Sequence, residues 1–184
     1  LTASERHNVV ALAGRRIDAP NSKRTRFPLE QIPTVRNRLA EFLNYHEISL
    51  LVSSAACGAD LLALDVASSL GVRCQVVLPY HPDKFRRSSV TDRPGEWGLL
   101  YDRLIYKIGA AGDLIVLDDK STDEFAFRHT NEAIIHLASF AAMPEHAGAV
   151  LVWEGRSNGK NDLTAAFENL ATAAGMAIYT ILTR

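Results

Sequence analysis

Between Leu50 and Gly71 the chain spells out a strand, a turn and a helix in succession. The apolar run Leu50-Leu51-Val52 breaks into Ser53-Ser54-Ala55-Ala56-Cys57-Gly58, and apolar residues then return from Ala59 to Leu70 at helical spacing. A buried strand feeding a tight turn and a helix reads in this way, with Gly71 as the C-terminal cap. Val72 to Leu78 supplies the next strand, stopped by Pro79. Two strands joined through a helix lie parallel, which commits the fold to crossover connections.

The same alternation runs through the rest of the chain. Val9-Val10-Ala11-Leu12-Ala13 is a strand ended by Gly14, and Leu29 to Tyr45 is a helix carrying Ile32, Val35, Leu39, Phe42 and Leu43 on one face. Helices are expected over Trp97 to Ile108, Glu124 to Met143 and Leu163 to Ala174, the last closed by Gly175. Strands are expected at Leu114 to Leu117, Ala149 to Trp153 and Ala177 to Leu182. The strands are continuous apolar runs, as in sheets buried on both faces. The expected architecture is therefore α/β: a three-layer Rossmann-like sandwich with a mostly parallel sheet, forming a single domain over residues 1–184. No internal repeat, low-complexity tract or linker interrupts it. Arg15 to Phe27 and Pro79 to Glu96 are its longest irregular stretches, and long loops inside a compact domain are often functional.

Composition excludes several classes. Hydrophobic residues at 47% and charged residues at 22% suit a soluble globule. A net charge of -1 argues against broad binding to a nucleic-acid backbone. Cys57 and Cys74 have no metal or CxxC spacing, so reduced thiols in a cytoplasmic setting are expected. No apolar run approaches a membrane span and no secretory signal opens the chain. The first residue is Leu1, as in a domain cut from a longer polypeptide or a trimmed terminus.

Ligands of open α/β sheets bind beyond the carboxyl ends of the strands. After the first strand that rule selects Gly14, Arg15, Arg16 and Asp18: the arginines to fork onto phosphate, or to pair with Asp18 in a solvated loop. An exposed Arg15 of this kind could be removed without cost to the fold. After the second strand it selects Ser53, Ser54, Gly58, Ala59 and Asp60. Small side chains there let backbone N–H groups approach an anion at a helix start; the alternative is a turn kept small for packing. Asp60 is equally suited to capping the helix and to binding a sugar hydroxyl. Phe85, in the loop after the third strand, either faces a base or plugs the loop into the core. Thr130-Asn131-Glu132 lies on the long helix, and the turn-rich stretch Trp153 to Asp162, with Lys160 inside it, lies beside the same sheet edge. A GxxxxGK[ST] loop, GxGxxG, HExxH and GxSxG are all missing. With six scattered histidines, no metal site is indicated.

Gly14-Arg15-Arg16-Ile17-Asp18-Ala19-Pro20, Ser53 through Ala67 around Gly58-Ala59-Asp60, Val77-Leu78-Pro79 followed by Phe85 and Ser89-Val90, and Asn131-Glu132 occur in that order. With these pieces the chain resembles the SLOG superfamily, which groups the Lonely-guy phosphoribohydrolases with the DNA-processing protein A family. The resemblance covers about residues 8 to 155. It implies a Rossmann-like fold that binds a nucleotide or nucleotide-derived ligand without a cofactor, often as a bacterial signalling or sensor domain joined to effectors or repeats. It adds Ser89 and Asn131 to the ligand-binding candidates, and a homodimer is compatible with it.

The hydrolytic members carry a PGGxGTxxE stretch. No PGG occurs here, and the counterpart Phe125 to Glu132 lacks the glycines. Binding is accordingly expected ahead of turnover. The enzyme alternative is a nucleoside-monophosphate phosphoribohydrolase using Glu132 as its catalytic carboxylate, with Arg15, Arg86 or Arg128 beside it. A vestigial cleft in a pure interaction module is the third reading.

Overall fold

The computed structural model describes residues 8–121, 123–159 and 161–184; Leu1 and Lys160 lie outside the described residues. Six strands, β1 (Val9–Gly14), β2 (Leu50–Ser53), β3 (Arg73–Leu78), β4 (Leu114–Val116), β5 (Gly148–Trp153) and β6 (Ala177–Leu182), form one sheet in the order β4-β3-β2-β1-β5-β6. Every pairing is parallel. The helices are α1 (Ile32–Tyr45), α2 (Ala59–Ser69), α3 (Pro82–Phe85), α4 (Trp97–Ala110), α5 (Asp123–Ala142) and α6 (Leu163–Ala173).

Side-chain alternation along the strands divides the interior in two. Val10, Leu12, Leu51, Val76, Leu78, Val150 and Val152 face the side of the sheet that packs under α1, α2 and α4. Val9, Ala11, Val52, Val77, Ala149, Leu151 and Trp153 face α5 and α6. With helices on both faces the sheet cannot show water a polar side, which is why its strands read as unbroken apolar runs. Leu12, Leu51 and Leu78 are at most 1% exposed, each contributing about 1.5–3 kcal/mol of burial. This is the three-layer Rossmann-like sandwich expected, with a sheet that is parallel throughout.

Two stretches differ from the sequence reading. The long helix before β2 begins as a 3₁₀ turn at Leu29–Gln31, and α1 proper starts at Ile32. Pro33 sits in the first turn of α1, where a missing N–H costs nothing. Pro79 to Glu96 is less irregular than expected: Pro82 opens α3, the His81 ring accepts the Asp83 N–H at 3.3 Å, and a single π turn follows at Arg86–Val90. These pieces are too short to carry a helical period, so the sequence shows only their polar residues.

Strand order fixes where a ligand can enter. From β1 the chain steps through β2, β3 and β4 in one direction, and α5 then returns it to β5 on the other side of β1. The connections leaving β1 and β5 diverge, so the sheet opens a crevice at their carboxyl ends.

Candidate functional site

That crevice holds two adjoining cavities. The inner one, about 190 Å³, is walled by Leu12, Phe85, Phe127 and Ile134, with Ser54, Asp60, Ser89, Thr130 and Asn131 as its polar groups. The outer one, about 610 Å³, is lined by Arg15, Asp18, Arg26, Arg93, Asn158 and Asn161 among others. Gly14, Arg16, Leu163 and Thr164 line both.

Arg15 leaves β1 and lines the outer cavity, but its guanidinium is already engaged by the protein. Its Nε donates to Glu154 at 2.6 Å, its Nη1 to Asp162 at 2.6 Å, and its Nη2 to Asp162, Glu154 and the Arg156 carbonyl. The guanidinium also lies 5.5 Å from the centre of the Trp153 ring. The residue is 6% exposed, not solvated. Arg15 therefore ties the end of β1 to the β5–α6 loop. Asp162 caps α6 through the Thr164 and Ala165 N–H groups while it pairs with Arg15. Burial alone would raise the Asp162 carboxyl, but Arg15 and the N–H donors of Asn158 and Ala165 outweigh it and hold it down to about 2. Glu154 is lowered by the same balance, with burial opposed by Arg15 and Asn158.

Arg16 is the arginine that lines both cavities. Its Nη2 donates to Asp92 and contacts the Cys57 sulfur at 3.6 Å. Its Nε is sealed from solvent and has no hydrogen-bond partner among the described residues.

The turn after β2 is closely packed. Gly58 has φ +97, and a Cβ there would stand 2.7 Å from the Arg15 oxygen and the Ile17 nitrogen. A Cβ on Gly14 would stand 2.4 Å from the Ala59 Cβ and 2.6 Å from the Val152 oxygen. Both glycines let the start of α2 press against the end of β1. The N–H groups of Cys57 and Ala59 donate to the Ser89 and Arg15 carbonyls, and that of Ala56 to the Asp60 Oδ2. Two N–H groups of the turn and the first of the helix are thus taken by the protein itself.

Of the other candidates, Ser54, Ser89 and Asn131 line the inner cavity, where the Asn131 amide donates to the Leu163 carbonyl at 3.2 Å. Asp18 lines the outer cavity and fixes its loop by accepting the Arg26 and Phe27 N–H groups. Ser53 and Ala59 are buried and line neither cavity. Glu132 is exposed and lines neither. Arg86 pairs with Asp102 and Arg128 with Glu124, both away from the cavities. Phe85 is 1% exposed, packs in the core beside Tyr80 and Tyr101, and forms a wall of the inner cavity.

The sequence reading missed Phe127, Thr164, Arg26 and Arg93. Phe127 was visible only as an apolar member of α5, and the others as loop polarity. They come from four separate segments of the chain, which only the tertiary fold brings to the two cavities. Among the described residues no group of three or more His, Cys, Asp or Glu side chains is placed to hold a metal ion. No described helix is long and apolar enough to cross a membrane.

A parallel sheet with a crevice at its reversal of strand order defines a doubly wound, Rossmann-like α/β fold. Among solved structures, DNA processing protein A (DprA) from Streptococcus pneumoniae matches with a TM-score of 0.58 and 18% sequence identity. The alignment covers 94% of this chain and 49% of that one, so the present chain spans about half the length of DprA. The likeness is one of fold. No protein-family model matches the sequence, and no curated protein matches it.

Proposed function

We propose that the β1/β5 crevice binds a nucleotide or nucleotide-derived small molecule, and that the domain senses this ligand rather than converting it. The observation that carries the reading is the joined pair of cavities. An inner pocket with aromatic walls and a few polar groups suits a flat heteroaromatic base. An outer basin holding Arg16, Arg26 and Arg93 suits phosphate oxygens. A nucleotide is apolar and flat at one end and anionic at the other, matching this polarity.

The hydrolase alternative is weakened because Glu132, its catalytic carboxylate, is exposed outside the cavities. A cytoplasmic signalling role, in a longer polypeptide with effector or repeat domains, completes the proposal. The DNA-related name belongs to the DprA neighbour; the net charge of -1 argues against carrying it over.

Calorimetry against nucleoside mono- and diphosphates, with product analysis of the same mixtures and single-stranded DNA as a control, tests the reading. Saturable binding without base release is expected, and Arg16→Ala should weaken it by about 1.5–3 kcal/mol. Release of free base would establish the hydrolase instead. Failure of every nucleotide to bind would leave the interaction module.

A further inference from the structure

Asp60 is the ionisable side chain of the inner cavity that has no ion-pair partner there. It is the second residue of α2 and is 8% exposed. Its Oδ2 accepts the Ala56 N–H at 3.2 Å. No described residue bonds Oδ1, and that oxygen is not among the sealed, partnerless polar atoms, which are Arg16 Nε and Trp153 Nε1. Oδ1 therefore opens on the cavity that Phe85, Phe127 and Ile134 also line.

The charged groups around it come from several elements. Arg16 approaches from the loop after β1, but Asp92 already engages it. Arg93 lines the outer basin and lies 3.7 Å from Asp92. Cys57 lies in the same turn as Asp60, with its thiol buried and raised by that burial. From α5 the facing groups are the uncharged Thr130 and Asn131, while Arg128 and Glu132 are exposed. From the start of α6 they are Leu163 and Thr164, with Asp162 committed to Arg15. An ionised carboxylate here loses its hydration and gains little in return. Burial accordingly pushes the Asp60 carboxyl up to about 7, against the Ala56 N–H and Arg16, which pull the other way.

Resting on the nucleotide reading above, we propose that Asp60 meets the ligand as a neutral carboxylic acid and donates its Oδ1 proton to an acceptor, a ring nitrogen or carbonyl, on a heteroaromatic base in the inner cavity. Oδ2 stays on the Ala56 N–H, so the donor is aimed by the helix that carries it. Bases offering an acceptor at that edge are selected. Affinity is full while the acid holds its proton and falls as rising pH removes it.

The test uses the whole chain, with adenosine, guanosine, cytidine and uridine 5′-monophosphates as probes and the tightest carried through a pH series. For the wild type, Kd at about pH 8 should exceed that at about pH 6 by about tenfold. Asp60→Asn, whose amide donates at every pH and still accepts the Ala56 N–H, should bind with near wild-type affinity and no such dependence. Asp60→Ala should bind about tenfold more weakly at the lower pH. A structural cap alone would not give a pH profile abolished by Asn. Wild-type binding independent of pH, or an Asn variant as weak as Ala, overturns this proposal and leaves nucleotide binding intact. Failure of the wild type to bind any of the four, or any of the diphosphates of the calorimetric series, overturns both. The carboxyl carbon resonance of Asp60 in the free protein decides independently of any variant's folding: a midpoint below about 5 overturns the proposal.

Discussion

Arg15 and Asp60 show how burial reverses the reading of a charged side chain. On sequence, Arg15 is an exposed phosphate ligand that the fold can spare. In the structure it is held between Glu154 and Asp162, with side-chain exposures of 7% for the arginine and 2% for each carboxylate. Removing it strands two buried anions, so Arg15→Ala should cost about 3–5 kcal/mol in urea denaturation. The carboxyls of Asp162 and Glu154 are held below their unfolded values. Their contribution is therefore present above about pH 4 and is lost as pH falls toward about 2. The Arg15→Ala penalty should shrink over that same acid range, and a penalty independent of pH would contradict the pairing. Asp60 works in the opposite sense. Its folded value is raised from 3.8 to about 7, so its stabilising contribution is complete below about pH 4 and is lost as pH rises toward 7. Asp60→Asn should consequently be more stable than wild type at about pH 8, with the difference vanishing near pH 4. Equal stability at both would show that the carboxyl is not buried as described.

At the scale of elements, the contact between the start of α2 and the end of β1 is set by two glycines. Gly58 and Gly71 both have positive φ, but a Cβ on Gly58 would meet the Arg15–Ile17 backbone, whereas one on Gly71 meets nothing within 4 Å. Gly71→Ala should cost only the backbone term, about 1–2 kcal/mol. Gly58→Ala should cost clearly more, because backbone must move as well as φ. Equal losses in thermal or urea unfolding would mean that the α2 start is not pressed against β1. The small-residue turn was legible as a place of close approach. What approaches it was not, since the Arg15–Ile17 backbone arrives from some forty residues earlier in the chain, a closure no local pattern encodes.

For the molecule as a whole, the order β4-β3-β2-β1-β5-β6 leaves β1 in the interior of the sheet, with β4 and β6 at the edges. β4 is also the shortest strand, Leu114–Val116, and only partly buried. In native-state hydrogen exchange the amides of β1, β2 and β5 should be slowest, and those of β4 should open first. Exchange in β4 as slow as in β1 would contradict this order. A single urea transition seen alike by tryptophan fluorescence and circular dichroism is expected for one cooperative domain.

The sequence by itself determined the class of fold. Unbroken apolar runs alternating with amphipathic helices admit little besides a covered parallel sheet, because period and burial are local properties of the chain. It also located the carboxyl-edge loops, and with them Gly14, Arg15, Arg16, Asp18, Ser54, Asp60, Ser89 and Asn131 of the cavities. Only the tertiary structure decided how these groups are used. It joined Arg15 to Asp162 across 147 positions, turned Glu132 outward one residue from the inward Asn131, and brought Phe127 from α5 into the same cavity as Phe85. Charge and donor capacity are written in each residue, but partner and dielectric come from segments distant in the chain, and these decide whether an arginine is a ligand or a clasp.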